Sequence, residues 1–190
     1  MEKNATKCIL FYQNVVHLVK ERKMSTKIKK GTTYAIKEVT LPVMDEAALQ
    51  YDTLRVILGG NKSVKKGIAG DFDLIALTRE GVKKSTLKSL AEYLGISMEK
   101  MSSLLHSSHR NIQRKDDDEL LDSLKTEKVL ELASFVQRGI QVIGNKQAFK
   151  EWLHSSLIAL GNQTPIDYLD TSFGIQMVIK ILGRLEHGVY

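Results

Sequence analysis

The sequence predicts an all-α fold, on three observations. Only two prolines interrupt 190 residues, so long helices are permitted over most of the chain. From residue 45 onward, apolar residues recur at three- and four-residue intervals. Gly, Ser, Thr, Asn and Asp punctuate those runs where helices start and stop. Hydrophobic residues make up 43%, enough for a core, and the length suits one or two small domains.

Residues 1–60 read as an N-terminal extension, partly disordered with a possible helix. Within residues 1–30, Lys20, Glu21, Arg22 and Lys23 precede Met24. Purine-rich codons encode such a tetrapeptide, as a ribosome-binding site would, so translation is expected to begin at Met24. The mass of the native protein checks this. Residues 32–43 are rich in β-branched side chains and reach Pro42, which suggests a short strand or extended arm. Residues 45–58 carry apolar side chains at 47, 48, 51, 54, 57 and 58, a helical spacing stopped by Gly59 and Gly60. Residues 61–69 read as a basic loop.

Helical signals are dense from Asp71. That residue is expected to cap a helix carrying Phe72, Ile75 and Ala76 and ending near Gly81. Ser85 or Thr86 starts the next, with Leu87, Leu90, Ala91 and Leu94, closed by Gly95. Ser97 starts a third, with Met98, Met101, Leu104 and Leu105. After a turn at His106 and Ser107, Ser108 caps a fourth that carries Ile112. Asp116, Asp117, Asp118 and Glu119 then precede a long amphipathic helix. Its apolar face is expected to hold Leu120, Leu121, Leu124, Val129, Leu132, Ala133, Val136, Ile140 and Ile143. Four acids at its start suit the helix dipole. Gly144 and Asn145 end it, and residues 147–154 make a short helix with Phe149, Trp152 and Leu153. Thr164, Pro165, Ile166 and Asp167 offer a cap, a proline at the first helical position and an acid three residues after the cap. Ser172 opens the last helix, with Ile175, Val178, Ile179, Leu182 and Leu185 inward and Gly188 as its stop.

Charge divides the chain. Residues 1–115 hold 21 Lys/Arg against 11 Asp/Glu, whereas residues 116–190 hold 7 against 11. A basic front suits a polyanion, and an acidic back suits a different partner. The lone Cys8 excludes an intramolecular disulfide and a multi-cysteine zinc site. No run reaches the roughly 20 apolar residues a membrane span needs. Residues 8–19 are interrupted by Gln13, Asn14 and His17 and lack a cleavage site, so the chain reads as cytoplasmic.

Short helices joined by tight turns on the basic half suggest a helix-turn-helix, in one of two registers. In the first, residues 87–94 support and 98–105 read. Ala91 and Gly95 fit that turn, but Met98, Glu99, Lys100, Ser102 and Ser103 make a poor reading face. In the second, residues 97–105 support, and Ser108, Arg110, Asn111, Gln113, Arg114 and Lys115 read. Arg forks onto guanine, and Asn or Gln pairs with adenine. A capped helix start offers backbone N–H groups to phosphate. The second register is preferred. A solvated charged turn is the plain alternative.

The final fifty residues carry the most specific pattern. Gly144, Trp152, Leu153, Leu160, Gly161, Thr164, Pro165, Leu169, Thr171 and Gly174 are followed by Leu182, Arg184, Glu186, Gly188 and Val189. In order and spacing this resembles the toxin-binding domain of the Xre/MbcA/ParS antitoxins. Residues 107–115 also resemble that family's Arg-Thr-x-x-Arg-Arg segment. Arg110 and Asn111 stand at the Arg-Thr positions, and Arg114 and Lys115 at the paired arginines; Asn111 and Lys115 are departures. Asp73, Leu74, Ile75, Gly81 and Val82 resemble the lead-in to it.

The resemblance implies an Xre-like helix-turn-helix domain over residues 61–115 and a small helical toxin-binding domain over 116–190. It also implies a RES-type, NAD-degrading toxin as partner, whose active site is blocked by Arg184, Glu186, His187, Gly188, Val189 and Tyr190. Operator DNA is the other expected partner, bound as a homodimer to repress the chain's own operon. Trp152 and Leu153 read as core rather than interface, Gly161 and Gly174 as turn or close-packing positions, and Thr164 and Pro165 as caps.

No catalysis and no cofactor are expected. His106 and His109 stand three apart, but no third metal ligand is near in sequence. There is no phosphate-cradling glycine loop and no ordered Ser/His/Asp signature. The acids at 116–119 lack the alternation and glycine of a calcium loop. An autonomous transcription regulator with a C-terminal dimerisation domain remains the alternative.

Overall fold

The computed structural model describes residues 46–188 apart from 65 and 66. These belong to one compact unit spanning 42–190. The expected arm at 32–43 and the early segment with Met24 lie outside the described residues. The described residues form eight α-helices: α1 (Glu46–Ile57), α2 (Asp71–Glu80), α3 (Ser85–Leu94), α4 (Met98–Leu104), α5 (His109–Gln113), α6 (Ser123–Ile143), α7 (Lys146–Leu153) and α8 (Ser172–Glu186). Short 3₁₀ turns lie at Gly60–Lys62, Ile158–Leu160 and Pro165–Tyr168. No strand occurs among the described residues, only isolated bridges at Lys83–Leu120 and Leu157–Gln163. The fold is all-α, as the periodicity predicts.

The longest helix, α6, is the spine, touching α1, α2, α3, α7 and α8. Its Val129, Leu132, Ala133, Phe135 and Val136 are fully buried. Burying a side chain the size of Leu or Phe stabilises by about 1.5–3 kcal/mol. One cluster runs from Leu54, Ile57 and Leu58 on α1 to Leu182 on α8. Residues 61–115 and 116–190 therefore share one core, and α1 is built into it.

Caps follow local chemistry. The hydroxyls of Ser97 and Ser108 and the side chains of Asp122 and Asn145 each accept a backbone N–H three residues on. Gly95 (φ 69°) closes α3 in the left-handed region, which a side chain adopts only with strain.

Two expectations fail. The acidic run does not open the long helix, because α6 begins at Ser123, capped by Asp122. Leu120 and Leu124 are exposed, and Leu121 is buried ahead of the helix. The run instead crosses to the start of α3. Glu119 and Asp117 carbonyls accept the N–H groups of Lys84 and Ser85 at 2.9 and 3.0 Å. The carboxylates take lysines: Asp118 pairs with Lys83 and Asp117 with Lys88, both at 2.5 Å. The Lys88 ammonium, with Lys84 behind it, holds the Asp117 carboxyl below the usual carboxylate range. Pairing with distant residues of the same chain thus displaces dipole capping.

The second failure is α2. Its N-cap is Gly70, not Asp71, whose carboxylate accepts the Tyr51 hydroxyl at 2.7 Å. Phe72 is 88% exposed and Ile75 is also exposed. Leu74 and Leu77 meet the core instead, on roughly the opposite side of the helix from Phe72 and Ile75.

Candidate functional site

The chain folds two helix-turn-helix units in tandem, offset by eleven residues. In the first, α3 leads through Gly95 into α4; in the second, α4 leads through His106 into α5. Equivalent positions match. Small side chains, Ala91 and Ser102, are buried at the helix crossing. Gly95 and His106 take positive φ, 69° and 50°. Ser97 and Ser108 cap the following helix, and Met101 and Ile112 anchor it inward. A side chain in the left-handed region is uncommon. His106 is tied there by its Nε2, 3.1 Å from the carbonyl oxygen of Asp170. His109 Nδ1 lies 3.5 Å from the Ser102 hydroxyl.

The two candidate reading helices differ in what already occupies them. On α4, Lys100 pairs with Asp167 at 3.6 Å. The Thr164 hydroxyl and then Lys100 hold the Asp167 carboxyl below its usual range. On α5, Arg110, Asn111, Gln113 and Arg114 are exposed. Their side chains make no hydrogen bond or ion pair among the described residues. Ser108 spends its hydroxyl on the Asn111 N–H at 3.2 Å. Lys115 stands apart: it is half-buried and paired with Glu119, and its carbonyl accepts the ammonium of buried Lys84. A groove of about 330 Å³ runs beside α5, lined by Ser107, Asn111, Arg114, Lys115, Glu119 and Lys125.

The acids at 116–119 sharpen this pattern. They answer Lys83, Lys84, Lys88 and Lys115, which leaves Arg110 and Arg114 as the free cations of α5. Sequence reasoning missed the pairs with Lys83 and Lys88 because those partners stand 35 and 29 residues from Asp118 and Asp117.

The other candidate site is the end of α8, and the residues before it build its platform. Buried Gly139 on α6 admits the Phe149 ring where any side chain would collide. Phe149 packs edge-on to Phe135 at 5.7 Å and stacks on Trp152 at 6.2 Å. Leu153 is fully buried and Trp152 half-buried. Gly144 ends α6 at φ 103°, and Leu160 is buried before Gly161. Thr164 precedes Pro165 at the start of its turn and donates its hydroxyl to Asp167 at 2.5 Å. Gly174 lies against the Tyr168 carbonyl.

At the end of α8, Arg184, His187 and Gly188 are exposed. Arg184 has no ion pair among the described residues. Glu186 is different, because it pairs with Arg138 of α6 and fastens the helix to the spine. Val189 and Tyr190 lie outside the described residues. Among the described residues no cluster of His, Cys, Asp and Glu could hold a metal, and no helix is long and apolar enough to cross a membrane.

Two family descriptions match the chain. The antitoxin Xre-like helix-turn-helix domain covers residues 73–137, and the antitoxin Xre/MbcA/ParS C-terminal toxin-binding domain covers 138–188. The chain is similar to the Prs ADP-ribosylating antitoxin of Sphingobium sp. (strain YBL2). The two are 28% identical over 132 residues, 64% of this chain and 83% of that one. It is also similar to a chain of the M. tuberculosis MbcT-MbcA toxin-antitoxin complex, at 20% identity and a TM-score of 0.41, covering 56% of this chain and 96% of that one. The two family matches are adjacent and together span residues 73–188, so the chain belongs to the Xre/MbcA/ParS antitoxins, with a helix-turn-helix domain followed by a toxin-binding domain.

Proposed function

We propose that this antitoxin neutralises a RES-type toxin that consumes NAD, and that it docks on operator DNA to repress its own operon as a homodimer. The observation that carries the reading is the free state of two short surfaces in one compact unit. One is the outer face of α5, with Arg110, Asn111, Gln113 and Arg114; the other is the end of α8, with Arg184, His187 and Gly188. The name of the Sphingobium relative supports the NAD link, since ADP-ribosyl transfer takes its ADP-ribose from NAD.

In this reading the antitoxin acts by occupancy rather than chemistry. Residues 184–190 enter the toxin's nucleotide pocket, where Arg184 donates to carboxylates as a charged donor. Glu186 serves mainly as a brace through Arg138. On the DNA side, the α5 side chains read base edges, with Arg110 and Arg114 supplying the unpaired positive charge.

Deleting residues 188–190 tests the plug. Gly188 is exposed, and its backbone N–H reaches only the Leu185 carbonyl at 3.2 Å. The truncated chain should melt within about 2 °C of the full chain, as surface changes do, yet protect poorly against the toxin in a growth assay. Equal protection would show that occlusion lies elsewhere.

A further inference from the structure

We infer that one stripe of α8, formed by Phe173, Met177, Lys180 and Arg184, is the surface that grips the toxin, with Phe173 and Met177 as its apolar anchor. The inference rests on the toxin-binding reading above and extends that contact from Arg184 to three residues the motif does not include, Phe173, Met177 and Lys180.

The stripe follows from helical geometry. Positions 173, 177, 180 and 184 are spaced by four, three and four, which keeps them on one side of a 3.6-residue helix. The opposite side carries Gly174, Ile175, Val178 and Leu182, all buried. Phe173 is 92% exposed and Met177 is 38% exposed. Nothing within the described residues requires apolar side chains at these two places. A phenyl ring in water one turn from a thioether is what a protein contact uses, because aromatic and Met side chains concentrate at interface centres. Across the described part of the toxin-binding domain, the exposed large apolar side chains are Ile158, Phe173 and Met177. Two of the three therefore share the stripe with Arg184.

The stripe also points to its occupant. It lies wholly within the residues matched as the toxin-binding domain. It runs continuously into the segment proposed to enter the toxin pocket. Lys180 and Arg184 are exposed without an acidic partner among the described residues. The surface therefore fits a protein face with an apolar recess and carboxylates beyond it. An anchor three turns back along the helix fixes the direction in which the following segment enters. That removes the orientational freedom a short plug would otherwise lose on binding.

The test uses the full chain and a purified RES-type toxin from the same operon, with affinity read by calorimetry and oligomeric state by light scattering. The double variant Phe173→Ser/Met177→Gln should bind the toxin at least about 30-fold more weakly, the size of a hot-spot loss. Its melting temperature should stay unchanged. Phe173→Ser alone should show most of that loss. Phe72→Ser, equally exposed on α2 outside the matched domain, should bind as the parent does. Parental affinity in the double variant overturns the anchor while leaving the toxin reading intact. Parental affinity combined with a change from dimer to monomer overturns it too and assigns the stripe to a second copy of the chain. If the parent chain itself does not bind the toxin, the reading and the anchor fall together.

Discussion

Gly174→Ala is expected to lower the melting temperature by about 6–12 °C. A Cβ at this position would fall well inside contact distance of the Tyr168 carbonyl oxygen, with the Thr171 hydroxyl also close. The obstacle is backbone, so no rotamer change relieves it. That same hydroxyl accepts the Gly174 N–H at 3.1 Å and caps α8. Any shift that makes room also loosens the cap. Overpacking of this kind costs about 1–3 kcal/mol and sometimes more, and a rigid obstacle places it at the upper end. For a domain of this size each kcal/mol moves the midpoint by about 2–4 °C. Gly183→Ala on the same helix supplies the control, since its Cβ meets nothing. Replacing a helical Gly by Ala there should raise stability by up to about 1 kcal/mol. Calorimetry of both variants checks the pair, and matching midpoints would refute the close approach.

Arg110→Ala/Arg114→Ala is expected to abolish useful operator affinity while leaving toxin binding unchanged. Both guanidinium groups are exposed on α5 and free of ion pairs among the described residues. A bidentate arginine–guanine contact contributes about 1–3 kcal/mol of discrimination, so losing two should weaken binding about 100-fold or more. If either arginine holds phosphate instead, the loss falls evenly across sequences and the salt slope drops by about 1 per contact. A fluorescence titration at two salt concentrations separates these cases. Unchanged affinity at low salt would move the reading role to α4, where Lys100 would first have to leave Asp167.

How much of this was legible in the sequence depends on the range of the signal. Helix starts at Ser97 and Ser108 and the stop at Gly95 are written within five residues, so reading them needs no tertiary knowledge. The order of motif residues from Gly144 to Gly188 was readable for the same reason, as a string of local turns and caps. Long-range pairing was not. Asp117 and Asp118 look like dipole caps until the chain brings them to Lys83 and Lys88. Glu186 looks like a free interface acid until α8 lies on α6 and meets Arg138. The exposure of Phe72 was hidden because α2 can roll about its axis. Periodicity marks apolar positions but not which of two opposed stripes meets the spine. Gly139 escaped notice because a helical glycine gains meaning only from the ring packed against it.

We propose that this chain silences an NAD-consuming toxin. Its most direct test is cellular NAD, measured after induction of the proposed RES-type partner toxin with and without this antitoxin. NAD is expected to collapse with the toxin alone and to hold near the uninduced level when both are made. NAD that stays constant with the toxin alone, or that falls equally in both cultures, would contradict it.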